Sequence, residues 1–356
     1  LVTFLLATLL LGVAGWLGSG SAIGGSLPLL PIDLVSLVAS LIMVGAALAT
    51  LIWHRQRLLA LVFLGAIGLM VTFIFAFFSA PDLALTQLSV EVVTLILLLL
   101  ALFFLPQTSH PETHRIRRIR DLVVALWSGI GMSALTWALL TRPYESIAGY
   151  FVEKSVSGGG GRNVVNVILV DFRGFDTLGE ITVLVLAGLA IHAMLKNLQL
   201  GAQANDELSG AWSQDAHPIL LSVLVRLVLP MTLLVAVFLL LRGHNLPGGG
   251  FIAGLVTAIA LILLYLANGV AWAQKRFPGN LQILMGVGLL IASLTGLASL
   301  LLGYPFLTTS FAHLDWPLVG EFELASAMIF DLGVWLVVVG MTLLILIHLG
   351  SLSDAS

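Results

Sequence analysis

The sequence predicts an all-α fold: a polytopic transmembrane helix bundle of about ten spans. Three observations predict it. Hydrophobic residues make up 59% of the 356 residues and charged residues 9%, where soluble domains hold roughly 45–50% and about 25%. The apolar residues fall in continuous runs of about 20, the length a helix needs to cross a bilayer core. Within the runs they do not alternate with polar residues, as the strands of a membrane barrel would.

In order, the runs are roughly 1–17, 33–53, 58–78, 81–105, 121–140, 174–195, 219–241, 249–268, 280–302 and 325–348. The first opens at Leu1 with no basic flank of the kind a signal peptide carries, which sets the expectation of a fragment of a longer chain. Asp33 opens the second run as a cap, and Arg55 and Arg57 separate it from the third. The fourth starts at Ser79-Ala80-Pro81, where Ser can cap and Pro suits the first turn. The fifth follows the basic stretch 106–120, PQTSHPETHRIRRIR. The sixth is entered past Gly174, where a bend is allowed. Arg226, about two turns inside the seventh, is placed to snorkel. The eighth follows LPGGG, and the tenth follows Glu321 and Glu323.

Loop charge orients the bundle. Arg55, Arg57, Arg115, Arg117, Arg118, Arg120, Lys196, Lys275 and Arg276 all fall on one side. Arg142, Lys154, Arg162 and Arg242 fall on the other, so the positive-inside rule puts both ends of the chain in the cytoplasm. Residues 141–163 are then an outer loop, with the glycine run Gly158–Gly161 expected to be flexible. The polar stretch 196–217 reads as a cytoplasmic linker between two modules, 1–195 and 218–356. Cys is absent, which excludes disulfides, thiolate metal sites and cysteine nucleophiles from these residues. No basic tail points to nucleic acid. No triad, metal-ligand cluster or cofactor motif supports enzymatic turnover, and the chain reads as neither an enzyme nor a cofactor protein.

Acidic residues at membrane depth are costly and mark ion pathways by default. Glu91 lies mid-run in PDLALTQLSVEVVTLILLLLALFFL. It shares a helix face with Gln87 and Thr94, a polar stripe that suits a proton or a partly hydrated cation, or that glues helices together. Asp82 lies at the positive end of the same helix, where a helix-start acid is the plainer reading. Asp176 and Glu180 stand at i and i+4 in NVVNVILVDFRGFDTLGEITVLVLAGLAIH, after an approach helix expected over Asn163–Phe175. They read as a cation or proton entrance, or as an interface in which Arg173 pairs with Asp171 or Asp176. In RGHNLPGGGFIAGL the glycines permit close backbone approach, and His244 is a proton-accepting or a structural histidine. Asp331 lies within the last run. His192 and His348 lie near the cytoplasmic ends, where the helix dipole accounts for them.

At these motifs the sequence resembles a known family. APDLALTQLSVE with its Leu run, followed by VNVILVDFRGFDTLGE, is similar to the C-terminal region of the large A subunit of Mrp-type multisubunit cation/proton antiporters. HPILLSVLVRLVLP through RGHNLPGGGFIAGL resembles the B subunit, so the chain looks like the variant in which A and B are fused. The resemblance implies a transporter subunit that exchanges outward Na+ for inward protons, driven by the proton motive force. Glu91, Asp176 and Glu180 would belong to the conducting region, and Na+ and protons would be cargo. It also implies a bacterial inner membrane, other small subunits, and a large antiporter-like module related to complex I. The same membrane modules occur in membrane-bound hydrogenases, which leaves a redox-driven setting open, as it does a structural scaffold.

Overall fold

The computed structural model describes residues 2–20, 24–29, 31–103, 115–195, 219–268, 280–316 and 320–354. The expected linker 196–217 and the cations Lys196, Lys275 and Arg276 lie outside the described residues. The elements run α1 (Val2–Ser19), α2 (Leu34–Ile52), α3 (Arg57–Phe77), α4 (Pro81–Phe103), α5 (Arg115–Thr141), α6 (Ala148–Gly159), α7 (Val164–Val167), a π-helical segment (Ile168–Phe172), α8 (Gly174–Leu195), α9 (Ile219–Arg242), α10 (Gly250–Asn268), α11 (Leu281–Leu301), the strands β1 (Phe311–Trp316) and β2 (Gly320–Ala325), and α12 (Ser326–Asp354). The first expected run forms α1. The other nine form α2–α5 and α8–α12, each long and apolar enough to cross a membrane. The fold is therefore a polytopic helical bundle.

The chain divides into two compact units. One holds Leu1–Val38 and Thr108–Ile147, and the other holds Ala39–Gln107 and Ala148–Ser356. In the first, α1 lies along α5, and the chain before α2 is tied to the end of α5. There Gly25 N–H donates to Thr141 Oγ1 at 2.7 Å and Leu27 N–H to Thr141 O at 2.9 Å.

The second unit is built around α12. Phe330, Val334, Val337, Val338, Leu344 and Leu346 are buried on it, and α8, α10 and α11 pack against it. Lipid tails are as apolar as Leu, so close packing of small residues supplies the attraction. Gly288 of α11 and Gly333 of α12 cross so closely that a Cβ on either would lie 2.6 Å from the other's carbonyl oxygen. Gly254 of α10 makes a similar approach to Val338.

Four regions differ from the sequence reading. The outer loop 141–163 contains helix α6, and its glycine run is packed rather than flexible. Gly159, Gly160 and Gly161 are buried, and a Cβ on them would meet Val167, the Phe311 ring and the His244 carbonyl at 2.3–2.5 Å. The approach helix over Asn163–Phe175 is not continuous. Asn163 caps α7, and the chain then loosens into the π segment, where Arg173 N–H reaches back five residues to Ile168 O at 2.7 Å. Thr177 Oγ1 donates to the Leu169 carbonyl at 2.7 Å, satisfying an acceptor the π turn frees. Helix α5 begins at Arg115, so Arg115, Arg117, Arg118 and Arg120 lie on its first turns instead of in a linker. The strands Phe311–Trp316 and Gly320–Ala325 form an antiparallel hairpin pairing Phe311 with Ala325 and Trp316 with Gly320, where no strand is expected.

Candidate functional site

Within the larger unit a cavity of about 340 Å³ opens between α4, α7, α8 and α12. Its polar lining is Asp82, Thr86 and Gln87 of α4, Asn166 of α7, Thr177 and Glu180 of α8, the backbone of Gly248–Gly250, and Asp331 of α12. Phe75, Leu83, Ile181, Phe251 and Val334 are among the apolar walls.

Each carboxylate is placed by its element. Asp82 sits in the first turn of α4, buried, and its Oδ1 accepts from Gly248 N–H at 2.9 Å and Asn163 Nδ2 at 3.4 Å. Ser79 does not cap this helix in the expected way. It adopts φ 57° in the turn ending α3, and Ala80 O takes the first bond, from Ala84 N–H at 3.0 Å. Asp331 is buried on α12, and its Oδ2 accepts from Asn166 Nδ2 at 3.3 Å. Its backbone meets the start of α10, where a Cβ at Gly250 would lie 2.1 Å from Asp331 O. Glu180 lines the cavity while remaining open to the surface of the chain.

Two asparagines that sequence reading passed over organise the site. Asn163 Nδ2 donates to Gly243 O at 3.0 Å and Leu246 O at 3.1 Å as well as to Asp82, and Asn163 Oδ1 accepts from Asn166 N–H at 3.3 Å. One turn on, Asn166 holds Asp331. The only signal available was the pair itself, NVVN, two amides on one face ahead of the acidic stretch. The loop they grip turns at Gly249, where φ is 104° and a side chain would be strained.

Of the residues singled out by sequence, Asp82, Gln87, Glu180 and Asp331 share the cavity, and Glu91, Thr94, Asp176 and His244 do not line it. The Glu91 carboxylate lies instead against Gly68 of α3, where a Cβ would come within 2.0 Å of Oε2. Thr94 is exposed. Asp176 pairs with Arg173, the second of the two partners considered for that arginine, while Glu180 lines the cavity. His244 is buried, with Nε2 2.9 Å from Gly159 O. Near it, Asp171 of the π segment accepts from Thr309 N–H at 3.0 Å. Burial pushes the Asp171 carboxyl above the ordinary aspartate range, and the Thr309 bond and the neighbouring His244 oppose that push. His192 Nδ1 and His348 Nε2 are 2.6 Å apart, so each histidine has a side-chain partner beyond a helix end.

Asp82, Glu180 and Asp331 form no ion pair among the described residues. Three carboxylates facing one cavity repel, and an unpaired ionised carboxylate at membrane depth is expensive. Carboxylate, amide and hydroxyl oxygens are the ligands of hard cations, and the carboxylates accept protons equally. No described group of three His, Asp or Glu is arranged to hold a resident metal.

The three segments that build the cavity each match a known family. The family of the D subunit of MBH matches residues 41–107, that of the E subunit of MBH matches 116–207, and the domain related to the MnhB subunit of Na+/H+ antiporter matches 220–344. The B subunit of the Na(+)/H(+) antiporter of Bacillus subtilis is 44% identical over 137 residues, 38% of this chain and 96% of that relative. The chain belongs to the A and B subunit family of multisubunit cation/proton antiporters. The probable A/B subunit of a K(+)/H(+) antiporter from Rhizobium meliloti is 44% identical over 320 residues, which are 83% of this chain and 32% of the relative. The chain thus spans about a third of the length of that relative. The solved Mrp complex from Dietzia sp. contains a chain with the same fold, at TM-score 0.83 and 31% identity, covering 98% of this chain and 38% of that one.

Proposed function

We propose that this chain is the ion-exchanging junction of a multisubunit antiporter, with the segments 1–195 and 218–356 as fused A-like and B-like modules joined through 196–217. It would export Na+, or another monovalent cation, in exchange for protons driven by the proton motive force. One observation carries this reading: Asp82, Glu180 and Asp331, from three helices, face one cavity and form no ion pair among the described residues. Such a site holds protons or a cation and not both, and that competition couples the two flows. Gln87, Asn166 and Thr177 supply neutral ligands.

In the same reading Glu91, packed on Gly68, lies on the route that feeds the cavity, with Thr94 on its face, and Asp176 and His244 lie toward the hairpin end of the bundle. That end is the outer one, both termini are cytoplasmic, and the membrane is a bacterial inner membrane. The partners are the other small subunits and a large antiporter-like module. Transported Na+ and H+ are cargo, and no resident cofactor is required. The matches to the D and E subunits of MBH favour one second reading, in which the same module serves another assembly and a different energy source drives the ions.

The test is antiport in inverted vesicles from cells lacking their own sodium exporters, using the full-length polypeptide in its complex. Asp331→Asn, Asp82→Asn and Glu180→Gln should each abolish dissipation of the pH gradient on adding Na+, at equal assembly. Unchanged dissipation in all three would make the carboxylates structural.

A further inference from the structure

The loop that supplies Gly248 to the cavity also buries a histidine the cavity does not use. His244 is 4% exposed, and its Nε2 lies 2.9 Å from Gly159 O. A carbonyl only accepts, so Nε2 carries the hydrogen and Nδ1 of the neutral ring is a bare lone pair. Among the described residues no group bonds Nδ1, although it is buried. An unmet buried acceptor costs about 1–3 kcal/mol, and a proton or a water removes that cost.

Asp171 lies beside the same residue, Gly159, and interacts electrostatically with His244. Its Oδ1 is held by Thr309 N–H, and its Oδ2 lies 3.2 Å from where a Cβ on Gly159 would be. Several charged groups on surrounding elements have other partners. Asp82 of α4 is bonded to Gly248 and Asn163, and Asp331 of α12 to Asn166. Arg242 Nε donates to Pro247 O at 2.8 Å with its guanidinium over Phe238. Arg173 pairs with Asp176, and Lys154 with Glu153 on α6. Arg162 is exposed, and its backbone N–H donates to Asn245 Oδ1 at 3.1 Å.

We propose that His244 and Asp171 form a second proton-binding site, separate from the carboxylate cavity, in which His244 Nδ1 takes up the proton on the hairpin side before it reaches the cavity. The proposal rests on the antiport reading above. The proton binds without any bond to carbon changing. The imidazolium that forms is balanced by the Asp171 carboxylate, so the loaded pair is neutral and the emptied pair carries one negative charge. Both groups lie outside the membrane spans, at the foot of α6 and the hairpin.

His244→Gln tests it, because the amide still donates to Gly159 O and cannot titrate. In inverted vesicles carrying the assembled complex, the rate of Na+-driven pH dissipation is measured against lumenal pH, the lumen being the hairpin side. His244→Gln should reach half-maximal rate about one pH unit to the acid side of the wild type, about a tenfold higher proton concentration, with the maximal rate retained. Asp171→Asn should shift the profile the same way, and the double variant no further. A His244→Gln profile that overlays the wild type overturns the proposal and leaves Nδ1 as the seat of a structural water. If His244→Gln does not assemble, Asp171→Asn decides by the same readout, since its amide oxygen still accepts from Thr309, and an unshifted profile overturns the proposal. Wild-type complex that dissipates no gradient with Na+ or K+ defeats the antiport reading and this proposal with it. Cation-dependent dissipation with unshifted variants defeats this proposal alone.

Discussion

Gly250→Ala is the sharpest perturbation the fold offers. Gly250 opens α10, and a Cβ there would lie 2.1 Å from Asp331 O, 2.8 Å from its carbonyl carbon and 3.0 Å from its Cα. All three are backbone atoms of α12, so no side chain can rotate away. Carbon–oxygen contacts settle at about 3.3–3.6 Å, so α10 and α12 must part by roughly 1 Å. The helix α12 has little room to recoil, because Gly333, two residues along, is locked against Gly288 of α11. Overpacking of this kind costs about 1–3 kcal/mol. The same shift breaks the Asn166–Asp331 bond, already long at 3.3 Å. A displacement of about 1 Å at a reacting group can cost about 100-fold in rate. Gly250→Ala should therefore lower the thermal midpoint of the detergent-solubilised complex by a few degrees and cut Na+-driven pH dissipation by about 100-fold per assembled complex. The control is Gly286→Ala on α11, where a Cβ meets nothing within 4 Å, and both quantities should stay at wild type. A Gly250→Ala complex with wild-type midpoint and rate would refute the close α10–α12 contact and the placement of Asp331 derived from it.

Two further predictions concern the ends of the bundle. Asp171 has its carboxyl raised above the ordinary 3.8, so its contribution to stability is fully present below 3.8 and is lost as the pH rises through the higher folded value. Thermal midpoints of Asp171→Asn should lack that fall, and parallel pH curves for variant and wild type would sink the assignment. At the other end, His348 Nδ1 lies 2.8 Å from Leu344 O and so donates there, which makes His348 Nε2 the acceptor of the bond from His192 Nδ1 at 2.6 Å. A double-mutant cycle of His192→Ala and His348→Ala should give a coupling of about 0.5–1.5 kcal/mol in unfolding measurements, and additive single effects would show that the pair does not stabilise the fold.

The spans were legible because bilayer thickness sets their length and the chain fills it with continuous apolar runs. Helix starts at Pro81, Gly174 and Gly250 fall within a residue of where local turn chemistry puts them. The cavity was legible only in part. Spacing places Gln87, Glu91 and Thr94 on one face of α4, but it cannot say what that face meets, and the structure puts Gln87 into the cavity and Glu91 onto Gly68. Asn163 and Asn166 escaped because their partners are 81 and 165 residues away in sequence. The glycine run Gly158–Gly161 looked flexible because two of its packing partners, Phe311 and His244, are distant in sequence.

Those long-range partners explain how the stretches before residue 196 and after 218 find one register. Apolar helix faces in lipid attract one another weakly and with little preference for rotation or depth. The contacts across this junction are directional instead. Gly248 N–H donates to Asp82, Asn163 to Gly243 O and Leu246 O, and Asn166 to Asp331. Thr309 N–H donates to Asp171, and His244 Nε2 to Gly159 O. Sliding either stretch by one residue would strand several of these groups at once, at about 1–3 kcal/mol each where they are buried. Several of the bonds that fix the register are made by the carboxylates of the cavity and by their asparagine neighbours. A change in the charge held at Asp82 or Asp331 is therefore felt directly at the contact between the two stretches, which is the physical requirement for ion binding to move one against the other.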